Sequence, residues 1–453
     1  MKRKLLSLLL CLSMAFALTV PAFAATYEDA AESLKSIGLF RGTDKGFELD
    51  RPATRIEAAV MLVRLLGQED AANARYAAKE ISHPFTDVPS WADAHIALLY
   101  TDGIAKGSGG TIFGTSECTA QMYCTFLLRA LGYTEEAGDF TYDRAVEKAT
   151  ALGFYDEVYF GNLFTGGGVF LRDDVVAVSY LALGTDVKDT EKTLLAKLCD
   201  DGAVDAKAAE KMLTLQDELR EFNELVASAE YDTLSAMGMD IALNVTLSGI
   251  PDVPYNSTLT GDVEALFNFD GDDIEASITY ALSLDGQTEK LQAWFKDGYI
   301  YAEMDGEKIK IPYDMSELLA LAEEAEAMQT STGGESFPAL FVKEFTEKSD
   351  GTYELILSDA LMAPIYEILD LITVMVAEEG LVLDLQFNDM TYRFNRNGVP
   401  KEMSFAMSLL AAAEGESIKA DAVISAEFYT DGKTVRISFP SDLRDFQEVE
   451  VDF

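Results

Sequence analysis

The sequence predicts a multidomain chain, in which an all-α bundle of three repeats is followed by an α+β domain with a curved antiparallel sheet, a half-barrel, and packed helices. Three observations support this prediction. The first part repeats itself at a constant spacing, apolar residues change from helical spacing to alternation after Met239, and Asp-Gly or Asn-Gly pairs separate the alternating runs. A chain of 453 residues is also long enough for two or more domains.

Residues 1–24 have the pattern of a secretory signal peptide. Basic residues at positions 2–4 precede an apolar run over 5–20, and small residues occupy positions 22 and 24. Cys11 lies inside the apolar run instead of after it, which argues against a lipoprotein signal. No later stretch is long and apolar enough to predict a transmembrane segment. We therefore expect an exported protein whose mature chain begins at Ala25.

Composition excludes several classes of protein. The formal net charge of -43 predicts that the chain binds no nucleic acid, and a hydrophobic content of 49% excludes a disordered chain. Once the signal is removed, Cys118, Cys124 and Cys199 remain, and we interpret all three as core residues. With only His83 and His95 beside them, the sequence predicts no metal site, and no cofactor is expected.

The first part of the chain contains three related units, predicted at 26–80, 81–137 and 138–200. Gly38, Gly42, Thr54, Arg64, Leu66 and Gly67 of the first unit recur in the second as Gly103, Gly107, Thr119, Arg129, Leu131 and Gly132. Each unit is predicted as a helix, a glycine-bounded loop and a second helix; in the first, a helix over 29–37 ends at Gly38 and the next begins at 51–54, where Pro52 suits a helix start. The third unit is weaker and has a longer loop.

Short motifs in these units resemble the S-layer homology (SLH) family. The second unit opens with Phe-Thr-Asp-Val-Pro-Ser-Trp-Ala at 85–92 and continues with Gly-Ile-Ala-Lys-Gly at 103–107, and the first has Ala-Thr-Arg-Ile-Glu at 53–57. The resemblance covers about residues 26–200. It implies a three-pronged helical bundle that binds secondary cell-wall polysaccharide, often pyruvylated, in grooves between the prongs. It also implies a location at the cell wall or in the surface layer.

The resemblance gives a set of candidate polysaccharide-binding residues, which are Arg55, Glu57, Gly42, Trp91, Asp87, Gly107 and Arg172. Arg55 is the strongest candidate, because a guanidinium offers two parallel hydrogen bonds to a carboxylate. Trp91 would supply a flat apolar face for a sugar ring, and Gly42 and Gly107 would let the backbone approach the saccharide.

Each candidate also has a structural interpretation, and two of the units depart from the motif. Trp91 is equally well explained as a core residue, and Glu57 as a partner of Arg55 or a support for the helix start. The second unit has Thr-Ala-Gln-Met at 119–122 and so lacks the arginine and the glutamate. The third retains Arg172, with Asp174 at the glutamate position, but has no tryptophan-bearing opening. Arg64 and Arg129 are interpreted as structural.

The second part is predicted as a linking helix within 201–236 and a sheet domain at 237–453. Alternating apolar residues begin at Met239, and the Asp-Gly and Asn-Gly pairs between runs favour type I′ hairpin turns. Helices are predicted at 315–328 and 360–378, and a last strand ends at 437–440. This order resembles the LolA-type lipoprotein-carrier half-barrel over about 215–453, a resemblance of pattern without a specific motif. It implies an apolar cavity between sheet and helices.

The sequence therefore predicts a non-enzymatic protein that is anchored to the cell wall by its repeats and presents a structural or binding domain at the surface. Two alternatives stay open: a wall-tethered carrier or sensor of a lipid or other apolar ligand, and a cell-wall hydrolase. No nucleophile elbow, phosphate-binding loop or metal-ligand cluster appears in the sequence, and its many carboxylates define no catalytic pair.

Overall fold

The computed structural model describes residues 27–155, 169–228, 236–249, 257–270, 273–284, 287–304, 306–312, 337–358, 381–388, 390–413, 416–430 and 435–449. The predicted helices at 315–328 and 360–378 lie outside these ranges, as do the signal peptide and the Asp-Gly pairs at 285–286 and 431–432.

The first part is helical, as predicted. Its helices are α1 (Glu28–Ser36), α2 (Arg55–Leu65), α3 (Glu69–Ala77), α4 (Asp93–Thr101), α5 (Ala120–Ala130), α6 (Ala145–Ala151), α7 (Arg172–Leu183) and α8 (Leu194–Asp200). Short 3-10 turns also occur, one of them at Tyr142–Arg144 before α6. Gly38, Gly103 and Gly153 end the first helix of each unit with positive φ angles, a conformation that glycine adopts without strain.

The second helices of the three units, α2, α5 and α7, pack against one another at the centre of the bundle. Each first helix packs against the second helix of another unit: α4 on α2, α6 on α5, and α1 on α7. The units therefore form a closed ring in which α1 completes the circle by contacting the third unit. One hydrophobic core runs through all three units, so no unit has a separate core.

Backbone hydrogen bonds join the starts of the central helices. The Arg55 N–H donates to the Ser116 carbonyl at 2.9 Å, and the Arg172 N–H donates to the Arg51 carbonyl at 2.9 Å. Residues 52–54 are consequently extended and form bridges to the other two units. The prediction that Pro52 begins the second helix is wrong by three residues, because Thr54 is the N-cap of α2.

The linking helix α9 (Ala206–Ala227) joins the ring to the second part. Its apolar stripe, which includes Leu219 and Phe222, is buried against strands of the sheet. Asn223 fixes the contact, because its side chain accepts the Phe337 N–H at 2.8 Å and donates to the Phe337 carbonyl at 3.2 Å. Beyond it, Leu340 and Phe341 are buried in the core of the ring. The two parts are therefore packed together through these residues.

The second part is a large, open mixed sheet. Its strands are β1 (Ala236–Ser248), β2 (Ser257–Asp270), β3 (Asp273–Leu284), β4 (Gln287–Lys296), β5 (Tyr299–Met304), β6 (Glu307–Pro312), β7 (Val342–Glu347), β8 (Tyr353–Leu357), β9 (Leu381–Phe387), β10 (Met390–Phe394), β11 (Pro400–Ala413), β12 (Glu416–Tyr429) and β13 (Gln447–Glu448). The order is β13-β6-β5-β4-β3-β2-β1-β12-β11-β10-β8-β7, with β9 also paired to β11. Pairing is antiparallel except between β13 and β6.

The two faces of the sheet have different surroundings. One face, which we call the inner face, carries an apolar cluster that includes Val245, Leu282 and Phe405. The other face contacts the C-terminal segment: the Trp294 Nε1–H donates to the Ser438 carbonyl at 3.0 Å, and Leu266 packs with Val435. Alternation along the strands therefore separates a broad apolar face from a face covered by the end of the chain.

Two details of the sheet differ from the predictions. Residues 437–440 form no strand, because they cross the second face of the sheet instead of pairing at its edge. Of the three predicted turn pairs that the structure describes in full, only Asp297-Gly298 has two positive φ angles, as a type I′ turn requires; at Asp350-Gly351 and Asn397-Gly398 the glycine alone does. In the ring, Cys118 and Cys124 are buried as predicted, and Cys199, in α8, is half-buried and packs against the core.

Candidate functional site

Arg55 lies where the first and second units meet, in the first turn of α2. Its side chain is only 9% exposed, and its guanidinium lies 5.0 Å from the ring centroid of Phe113 and 5.5 Å from that of Phe126. Gly114 is beside it, since a Cβ at that position would be 3.7 Å from Arg55 Cδ. We call Arg55, Phe113, Gly114 and Phe126, with Asp87, the Arg55 site.

The guanidinium of Arg55 has no carboxylate partner among the described residues. Its Nε atom is buried and has no hydrogen-bond acceptor within the described ranges. Burial lowers the pKa of Arg55 from its ordinary value, and nearby Arg129 acts in the same direction. Because arginine stays protonated even when buried, the site holds a desolvated positive charge whose hydrogen-bonding capacity is not fully used.

Asp87 supports the loop that faces Arg55. Its two carboxylate oxygens accept the N–H groups of Phe113 and Gly114, both at 2.8 Å. These bonds orient Phe113 toward Arg55, and the backbone donors outweigh desolvation to lower the pKa of Asp87. In this arrangement Asp87 positions the site.

The close packing of their loops leaves no room for a side chain at the candidate residues Gly42 and Gly107. A Cβ on Gly42 would lie 2.7 Å from the Gly46 carbonyl oxygen, and one on Gly107 would lie 2.4 Å from the ring of Phe85. Gly107 also has a φ of 72°, which disfavours other residues. Both loops therefore require glycine at these positions to keep their observed conformation. Whether they also let a saccharide approach stays a prediction.

Glu57 supports the start of α2. It accepts the Thr54 N–H at 2.8 Å while the Thr54 hydroxyl accepts the Glu57 N–H, which completes a capping box. Its ion-pair partner is Arg51 at 2.8 Å, not Arg55. Desolvation opposes ionisation of Glu57, but the bonds from Arg51 and Thr54 outweigh it and lower its pKa. The prediction that Glu57 supports the helix start is confirmed, and the arginine with which it pairs is Arg51 instead of the predicted Arg55.

Trp91 lies on the surface of the second unit. Its side chain is 57% exposed, so the alternative that it is a core residue is wrong. Tyr142, at the start of the third unit, is 43% exposed and close enough to Arg55 to affect its pKa, so an exposed aromatic residue lies near the Arg55 site. Exposed aromatic side chains provide the kind of flat surface on which a sugar ring stacks.

Arg172 has partners within the protein. It is 4% exposed, its Nε donates to the Phe47 carbonyl at 3.1 Å, and its Nη1 contacts Met61 Sδ at 3.7 Å. Asp174, at the glutamate position, accepts the Leu171 N–H at 2.6 Å. The third unit therefore keeps the motif residues but uses them to join α7 to the first unit.

Asp173 closes the ring. Its carboxylate is buried and accepts the Tyr27 N–H at 2.8 Å, at the start of α1. Burial raises the pKa of Asp173 to about 8 and that of Asp174 to about 6, and Glu28 and Asp174 add to the effect on Asp173. Both folded-state pKa values lie above the unfolded value of about 3.9, so the folded protein binds protons at Asp173 and Asp174 more tightly than the unfolded chain does. The stabilisation that results from this proton binding is complete below about pH 4 and is lost as the pH rises through 6 and 8.

We expect Asp173→Asn to be more stable than the wild type at pH 8, and to lose this advantage toward pH 4. The amide keeps an oxygen acceptor for the Tyr27 N–H and cannot ionise, so only the wild type bears the cost of a buried charge at high pH. The measurement is the melting temperature of both proteins from pH 4 to 8.5. Parallel curves would show that Asp173 does not titrate in this range.

Other predicted structural residues have partners that explain them. Arg64 donates to Glu69 at 2.9 Å, and Arg129 pairs with Glu135. The structural interpretation of both arginines is confirmed. His83 and His95 bond Asp93 and Glu69, each at 3.2 Å. In the described ranges, no group of three or more His, Cys, Asp or Glu residues is arranged to hold a metal ion.

Phe113 and Phe126 were not predicted as site residues. Phe126 belongs to the apolar face of α5 and has no signal of its own in the sequence. Phe113 directly follows the tight turn bridged by Gly109 and Ile112, as Phe47 follows the turn bridged by Thr43 and Gly46. Aligning the loops of the two units at these turns would have identified it.

No family model matches the chain. It is 30% identical over 196 residues to a "Cell surface protein" of Thermoanaerobacter kivui, an alignment that covers 40% of this chain and 24% of that protein. It is 28% identical to the "Middle cell wall protein" of Brevibacillus brevis, over 40% of this chain and 18% of that protein. A "Surface layer protein" of Brevibacillus choshinensis is 26% identical over 62% of this chain and 24% of the relative. The chain thus spans a quarter or less of these relatives.

Two solved structures were also compared with the chain. LprF from Mycobacterium bovis is 11% identical, with a TM-score of 0.21 over 49% of this chain and 97% of that structure. A beta-barrel-like protein from Brucella abortus is 8% identical, with a TM-score of 0.16 over 44% of this chain and 100% of that structure. At these scores the similarities carry no argument, and the half-barrel stays a prediction.

The relatives agree with the location that the sequence predicts. All three carry names of cell-surface, cell-wall or surface-layer proteins. Within the part of the chain that the structure describes, no helix is long and apolar enough to cross a membrane. The protein is placed by these similarities among proteins of the bacterial cell surface and cell wall.

Proposed function

We propose that the protein anchors itself non-covalently to the bacterial cell wall by binding an anionic wall polysaccharide at the Arg55 site. The observation that carries the proposal is the buried guanidinium of Arg55, held against two aromatic rings without a carboxylate partner. Desolvating a charge is costly unless a partner compensates for it. A carboxylate on the wall polymer would supply that partner.

The composition of the chain makes this arrangement unusual. Acidic residues outnumber basic ones by 78 to 35, so carboxylates are available for pairing in most places. Arg51, Arg64 and Arg129 are each paired with a glutamate. Among the described residues of the bundle, neither Arg55 nor Arg172 is in an ion pair, but the Arg172 Nε donates to the Phe47 carbonyl and the Arg55 Nε has no acceptor. An unpaired guanidinium in so acidic a protein favours an external anion as its partner, and a planar carboxylate matches its two donors.

The ring and the sheet would then have different roles. The Arg55 site and exposed Trp91 belong to the ring, which would hold the wall polymer. The sheet, attached through α9, would be presented at the cell surface as a structural or binding domain. We propose binding, not catalysis, as the role of both parts.

The proposal predicts that the secreted full chain, after removal of residues 1–24, sediments with purified bacterial cell walls. Sedimentation should be lost when wall polysaccharide is removed by acid extraction, because the remaining peptidoglycan lacks the polymer that Arg55 would bind. The measurement compares the bound fraction on intact and extracted walls at equal mass. Equal binding to both would contradict a polysaccharide ligand.

A second candidate function, the binding of an apolar ligand by the sheet, is favoured by the inner face. Ile278, on this face, is 43% exposed, and the buried hydroxyl of nearby Tyr280 has no hydrogen-bond partner among the described residues. An acyl chain would cover the apolar surface, with each buried methylene contributing about 0.8 kcal/mol. Native mass spectrometry of the full chain purified from bacteria tests this candidate: a lipid mass lost in Ile278→Asp supports it, and ligand-free protein opposes it.

A further inference from the structure

Arg172 and Arg55 lie at equivalent positions of the fold, but their surroundings differ. Arg55 and Arg172 each occupy the first position of a central helix, α2 and α7. Arg55 faces the loop of the second unit at Phe113, and Arg172 faces the loop of the first unit at Phe47. Both phenylalanines directly follow a tight turn. The two arginines can therefore be compared atom by atom.

The comparison shows which guanidinium has donors left for a ligand. The Nε of Arg172 donates to the Phe47 carbonyl, whereas the Nε of Arg55 has no acceptor in the part of the chain that the structure describes. Burial is the largest influence on Arg172 and lowers its pKa; Arg51 and Arg64 act in the same direction, and Glu57 and Glu48 oppose them. The two arginines therefore differ in the acceptor of the Nε–H, not in an ion pair. Among the described residues, the carboxylate that favours the charged form of Arg55 is Asp87, whose two oxygens already accept backbone N–H groups.

The start of the remaining central helix, α5, has no cation. Ala120 occupies its first position, where α2 has Arg55 and α7 has Arg172. In a chain with a formal net charge of -43, a groove without a cation repels an anionic polymer. The second unit therefore lacks a cation at this position, and the arginine of the third unit already donates its Nε–H to the Phe47 carbonyl.

We infer that the ring is monovalent: one anionic segment of wall polysaccharide binds per chain, at the Arg55 site, and the Arg172 site is an internal joint that holds α7 to the first unit. This inference rests on the proposed function and adds its stoichiometry. One site per chain gives reversible attachment without cross-linking of wall polymers, since avidity requires at least two sites that bind together.

Native mass spectrometry of the full chain without residues 1–24 tests this inference, with short acidic oligosaccharides released from purified walls by partial hydrolysis as the probe. We expect one oligosaccharide per chain at saturation. Arg55→Met should weaken binding at least tenfold, whereas Arg172→Met should lower the melting temperature and leave the affinity of the folded protein within twofold of the wild type.

Several outcomes would overturn the inference. Two or three oligosaccharides per chain would show that other grooves bind. A single site that survives Arg55→Met and is lost in folded Arg172→Met would place binding in the third unit. If Arg172→Met does not fold, Arg172→Lys, which keeps the charge but changes the donor geometry, replaces it, and the wild-type stoichiometry still decides. No binding by the wild type at any concentration would instead reject the proposed function itself.

Discussion

Phe222→Ala is expected to destabilise the sheet by about 3–5 kcal/mol, which is the range for removing a fully buried aromatic side chain. Phe222 is 2% exposed and lies at the centre of an aromatic cluster on α9. Its ring centroid is 5.0 Å from that of Phe394, 5.1 Å from Tyr353 and 5.3 Å from Phe345. Removing the ring leaves a cavity beneath β7, β8 and β10 that these neighbours cannot fill without moving.

The measurement is urea unfolding followed by tryptophan fluorescence. The chain has two tryptophans, so in a Trp91→Phe background the signal comes from Trp294, which is buried in the sheet. Glu224→Ala, at an exposed position of α9, is the matched control and should stay within about 0.5 kcal/mol of its parent. A Phe222→Ala protein as stable as this control would show that α9 is not part of the core of the sheet.

Arg55→Ala is expected to weaken binding to intact cell walls by about 1.5–3 kcal/mol, or roughly 10- to 150-fold, since one charge-assisted contact is lost. Ala120→Arg should change binding less, because an added arginine alone does not reproduce the site of Arg55, which has Phe113 and Phe126 around it. The measurement is a wall-binding isotherm for each folded variant.

Stability should respond in the opposite direction to binding. Replacing Arg55 by methionine removes a buried charge that has no carboxylate partner among the described residues, while an unbranched side chain still fills the space between the rings. We therefore expect Arg55→Met to be as stable as the wild type or more stable, and to bind walls poorly. A loss of stability large enough to explain the loss of binding would assign Arg55 a structural role.

The helices of the ring were predictable because local signals determine them. The recurring glycines end the first helices in each unit, and Thr54 and Glu57 form a capping box that is visible as a motif in the sequence. The strands were predictable for a similar reason, since alternation of apolar residues persists along β1 to β3. These features depend on residues close to one another in the chain.

Features that depend on distant residues were not predictable. The exposed position of Trp91 and the pairing of Glu57 with Arg51 follow from how the units pack, which the motif does not specify. Residues 437–440 alternate like a strand, but they cross the face of the sheet because Trp294 binds their backbone. Arg172 matches the motif as well as Arg55 does, and only the structure shows that the Phe47 carbonyl already accepts its Nε–H.

The most direct test of the account is an arginine Nε–H NMR titration of the full chain without residues 1–24, labelled with ¹⁵N-arginine, with acidic wall oligosaccharide as the ligand. Single Arg55→Lys and Arg172→Lys variants assign the two resonances. If Arg55 binds the wall polymer, its Nε–H resonance will shift and exchange more slowly with water as the ligand saturates, while that of Arg172 will stay unchanged. Saturable binding that leaves the Arg55 resonance unmoved would contradict the central claim.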